Sequence, residues 1–108
     1  MAGRAAIVQL ARLLGKEEFY RRLSLAEGAE PPALDDERLA ALRSLVDERL
    51  EVLARALAAE AVANDDVVDA ASARAYLEDR LAFLDDLLTE TQRQAVREGF
   101  GRLVERWG

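Results

Sequence analysis

Residues 35–64 read DDERLAALRSLVDERLEVLARALAAEAVAN. Leu39, Leu42, Val46, Leu50, Leu53 and Leu57 step through this stretch by threes and fours, so they share one face of a helix. Asp35 is placed to accept from the free amides of the first turn, and Asp36 and Glu37 suit the positive end of the helix dipole. Leu34, just before the cap, is set to pack on Leu39. No helix breaker appears before Asn64, so the spacing predicts one continuous helix of about 40 Å.

The rest of the chain follows the same period. Ile7, Leu10 and Leu14 mark an N-terminal helix that Gly15 stops, because glycine accepts the left-handed conformation that ends helices. A short helix follows over 17–25, supported by the pairs Glu17–Arg21 and Glu18–Arg22. Gly28, Pro31 and Pro32 then make 26–34 a linker. After a break at 63–66, with Asn64, Asp65 or Asp66 as cap, Leu77, Leu81, Leu84 and Leu88 define another helix. The last opens at Thr89 and carries Val96, Phe100, Leu103 and Trp107. No stretch alternates with period two over a strand's length. The expectation is a single all-α domain: an elongated hairpin or bundle of three long helices over 35–108, behind a helical N-terminal arm over 1–25.

Composition narrows the chemistry. The chain has 108 residues and a net charge of −6, which disfavours contact with phosphate backbones and hence nucleic-acid binding. It has no cysteine and no histidine, so thiol nucleophiles, imidazole bases and the commonest zinc ligands are missing. Its only methionine is Met1. Ser24, Ser44, Ser72, Thr89 and Thr91 therefore have no imidazole to activate them. No glycine-rich phosphate loop occurs, and the acidic clusters at 65–69 and 85–86 lack the spacing of a calcium loop, leaving helix capping and a solvated face as their reading. The apolar runs fall short of a membrane span. Ala5 to Leu14 is interrupted by Gln9 and Arg12 and is followed by Lys16, Glu17 and Glu18, so it reads as a helix of the mature protein rather than a leader. The cytoplasm is the default compartment, and the periplasm the alternative if a leader has been removed.

The most specific string is Leu88-Thr89-Glu90-Thr91-Gln92. As local structure it is a capping box: the Thr89 hydroxyl accepts from the Gln92 amide, and the Gln92 side chain accepts from the Thr89 amide. The same five residues match the Leu-Thr-x-x-Gln signature of the Spy/CpxP-type helical periplasmic proteins, which carry it twice, each copy opening a helix. The corresponding first copy here is Leu34-Asp35-Asp36-Glu37-Arg38, with arginine in place of glutamine. The resemblance spans the C-terminal two-thirds of the chain. It implies a non-catalytic protein that binds unfolded clients without nucleotide, as the chaperones of that family do. The metal-sensing relatives are a poorer match for a chain without histidine.

The reading is thus of a protein that binds other proteins and self-associates, most simply as a homodimer, with no cofactor, no metal and no catalytic residue. Tyr76, Phe83, Phe100 and Trp107 are the aromatic candidates for a contact face, and Arg43, Arg49 and Arg55 its polar rim. The alternative is an acidic regulatory partner, of immunity-protein or antitoxin type, that neutralises a basic target electrostatically.

Overall fold

The computed structural model describes residues 4–26 and 34–105, and every regular element among them is helical. The order is α1 (Arg4–Leu14), α2 (Lys16–Arg22), α3 (Asp36–Glu48), α4 (Leu50–Ala63), α5 (Ala70–Leu84), a single 3-10 turn (Asp85–Leu87) and α6 (Glu90–Val104). These helices form one compact body of 43 × 26 × 23 Å. Helix α4 packs most extensively on α6 and also touches α5 and α1.

The long helix expected over 35–64 is two helices. At Arg49 the backbone leaves helical geometry (φ −126°, ψ 28°), and its amide reaches the Val46 carbonyl, one residue short of the α-helical partner. Nothing in the local residue types demands this break. It coincides with a tertiary bond: Arg49 Nη1 donates to the Leu14 carbonyl at the end of α1, 2.9 Å away. On both sides of the break, Leu42, Leu45 and Val46 on α3 and Leu53, Leu57 and Ala61 on α4 are buried in one core. Each fully buried leucine contributes about 1.5–3 kcal/mol relative to an exposed one.

The N-terminal segment is part of that core. Ala6, Ile7, Leu10, Ala11, Leu13 and Leu14 of α1 are buried, as is Phe19 of α2. Amphipathic helices with this much apolar surface cannot stand away from the body without exposing it to water. Gly15 makes the corner between α1 and α2 at φ 104°, a conformation that L side chains rarely adopt. Most of the linker, residues 27–33, lies outside the described residues.

The helix starts bear out two of the caps read from sequence and move a third. Asp35 Oδ1 accepts from the Arg38 amide at 2.8 Å. Thr89 and Gln92 form the full capping box. For α5 the cap is Asp69 rather than Asn64, Asp65 or Asp66. Asp69 Oδ1 accepts from the Ser72 amide, while Ser72 Oγ accepts from the amides of Val68 and Asp69. Asn64 instead accepts from the Asp66 amide within the preceding turn.

Candidate functional site

Gln92 is the one polar residue with a buried side chain among those described, at 3% exposure. Its position follows from the capping box, which turns the third residue of α6 back over the helix start. Gln92 Oε1 accepts from the Thr89 amide at 3.0 Å. The other end of the same amide group crosses to α3, where Nε2 donates to the Arg43 carbonyl and to Asp47 Oδ1, both at 2.8 Å. Arg43 then continues the chain of bonds, since its Nη2 donates to the Asp86 carbonyl at 2.6 Å. Its Nε is buried without an acceptor among the described residues. This junction ties α3, the 3-10 turn and α6 together. Its bonds fix the positions of these elements relative to one another.

Of the expected polar rim, Arg43 and Arg49 each bond a backbone carbonyl of another element, Asp86 and Leu14 respectively. Arg55 is exposed and pairs with Glu51 one turn earlier, at 2.6 Å. Phe100 is fully buried and presents nothing to solvent. Trp107 lies outside the described residues.

Tyr76 and Phe83 do come together, through a residue that was not among the sequence candidates. Arg80 sits between them on α5, its guanidinium carbon 5.8 Å from the Tyr76 ring centre and 5.3 Å from that of Phe83. The spacing i, i+4, i+7 places all three on one helix face. That spacing is legible in the sequence. It does not show that the arginine fills the space between two rings instead of standing in solvent. Tyr76 is half-buried against the core, whereas Phe83 remains 43% exposed. The guanidinium thus lies within cation–π distance of a ring that stays exposed.

Several of the remaining charges form ion pairs that staple neighbouring helices. Arg22 of α2 bonds both carboxylate oxygens of Glu48 on α3, at 2.6 and 2.8 Å. Arg12 of α1 meets Glu60 of α4, and Arg97 of α6 meets Glu78 of α5. The Arg22 hydrogen bonds hold the Glu48 carboxyl below the usual glutamate range, and Arg93 does the same for Glu90. Glu18 is likewise lowered by its hydrogen bond to Arg21. Hydrogen bonds from the Ser72 amide and hydroxyl lower Asp69.

Among the described residues no group of three or more acidic side chains is arranged to hold a metal ion. No helix among them is long and apolar enough to cross a membrane. Comparison of the chain with protein-family models, with curated proteins and with solved structures gives no match.

Proposed function

We propose that this protein acts by non-catalytic binding of other proteins, and that the Tyr76–Arg80–Phe83 face of α5 is a contact surface. The observation that carries this reading is the placement of Arg80 between two rings, one of them exposed. Tyrosine and arginine are enriched among residues that dominate binding energy at protein interfaces. An arginine already held against rings loses less conformational freedom on docking than a free one. The Leu88–Gln92 resemblance adds the kind of partner: unfolded or partly folded chains, bound in the manner of a nucleotide-independent chaperone. The chain works as a homo-oligomer, a dimer in its simplest form. Val52 and Val62 on α4 and Leu103 on α6 remain well exposed, and a second copy would cover such surface.

The test is an aggregation assay with several unrelated unfolded clients in the absence of ATP. Protection of several clients is expected. The Arg80→Ser/Phe83→Ser double variant should lose it while keeping its helical circular dichroism. Failure to protect any client refutes the chaperone-like reading.

One observation favours the acidic-partner alternative. Asp36, Glu37, Asp65 and Asp66 are exposed and pair with no cation among the described residues. They would be open to a basic target, which would steer association and make it salt-sensitive. Tight, salt-dependent binding to one folded basic protein, with no client protection, is the result that selects this reading.

A further inference from the structure

Helices α4 and α6 leave a groove of about 350 Å³ along their outer side. Its apolar lining includes Leu50 and Ala54 from α4 and Gly99 and Leu103 from α6. The two helices approach closely at its centre: a methyl group added at Gly99 would lie 3.1 Å from the Ala54 Cβ. They also run in the same direction. Gln92, at the start of α6, bonds to Arg43 and Asp47 just before the start of α4, and seven residues later Gly99 lies against Ala54.

That shared direction orders the charges on the groove. Glu51 and Glu98 fall toward the N-terminal end, and Arg55 and Arg102 one turn further along. The groove thus carries an acidic end and a basic end with apolar surface between them. Leu103 is 45% exposed beside it. Glu51 and Arg55 pair with each other, but Glu98 and Arg102 make no ion pair among the described residues.

We infer that the α4–α6 groove is a two-fold interface whose occupant is a second copy of this chain. This rests on the reading that the chain self-associates, and it names the surface. A two-fold axis lying in the interface, across both helices near the Ala54–Gly99 contact, sets each helix antiparallel to its own copy. Glu98 then faces Arg102 of the second copy, and Arg102 faces its Glu98. Glu51 and Arg55 are related in the same way. An isologous interface requires this kind of self-complementary patch. A parallel arrangement would set like charges against each other, so the charge order also selects the antiparallel one. The Tyr76–Arg80–Phe83 face is on a different helix and is not used by this interface.

The experiment is sedimentation of the full chain over micromolar to near-millimolar concentration, with single charge reversals on α6. Both sites are on the exposed side of the helix, and circular dichroism checks that each variant folds. The wild-type chain should be dimeric. Glu98→Arg presents only arginines at this pair of positions and Arg102→Glu only glutamates, so each alone should dimerise about tenfold more weakly. Mixed together, the two variants should form a heterodimer, because every facing pair is again of opposite charge. A wild-type chain that stays monomeric overturns self-association itself. A dimer that neither reversal weakens overturns this groove as its interface and leaves self-association standing.

Discussion

Replacing Gln92 by alanine tests whether the Leu88–Gln92 string does more than cap a helix. The substitution removes three hydrogen bonds. The bond to Asp47 is part-buried, but Asp47 itself is exposed and water can serve its carboxylate once the glutamine is gone, so this loss costs least. The bonds to the Thr89 amide and the Arg43 carbonyl are part-buried, and each contributes about 1 kcal/mol. The lost buried methylene adds about 0.8 kcal/mol. The sum is about 3 kcal/mol, which for a domain of this size lowers Tm by roughly 12 °C. Thr89→Ala removes only the hydroxyl acceptor of the cap, so it should cost about 1 kcal/mol. Urea denaturation followed by circular dichroism measures both, and the m-value shows whether the denatured state is unchanged. A Gln92→Ala variant no less stable than Thr89→Ala would refute the interhelical role. Gln92→Glu sharpens the comparison. It keeps an acceptor for the Thr89 amide but sets carboxylate oxygens against the Arg43 carbonyl and Asp47. At neutral pH it should be at least as damaging as alanine.

The two glycines of α6 should respond with opposite signs to alanine. A methyl group at position 101 would meet no heavy atom within 4 Å, so Gly101→Ala should stabilise by about 0.8–1 kcal/mol through helix propensity. Gly99→Ala gains the same propensity but drives a methyl to 3.1 Å from the Ala54 Cβ where α4 and α6 meet. It should be net destabilising, and thermal melts of the pair check the reversal of sign. Acid should weaken the fold. Glu18, Glu48, Asp69 and Glu90 all have folded-state pKa values lowered by their hydrogen-bonding partners. The stability they contribute is complete above their unfolded-state values and is lost as pH falls through the lower folded-state ones. Urea midpoints should therefore drop between neutral pH and pH values below the carboxylate range. Glu48→Gln should flatten that dependence, and an unchanged slope would show that the Arg22–Glu48 pair is not maintained in solution.

Local chemistry is enough to read the helices and most of their ends from sequence. The Leu and Val period of 35–57, the Asp35 cap, the turn at Gly15 and the Thr89–Gln92 box depend on residues within a few positions of one another. Such signals are complete in one dimension. The α5 cap is harder to place because four acidic or amide residues in six compete for it, and Ser72 decides in favour of Asp69 by returning its own hydroxyl. Contacts between distant segments are fixed by packing in three dimensions and are not written in any one stretch of the chain. The long helix breaks at Arg49, whose side chain bonds the Leu14 carbonyl 35 residues away. The N-terminal helices join the core because their apolar faces need cover, and no linker composition could announce which surface provides it. Phe100 and Phe83 read alike in sequence, but α6 is packed on α4 and turns Phe100 inward, while α5 leaves Phe83 at the surface. Helical period says which residues share a face. It does not say which face is covered, because that depends on where the other helices come to rest.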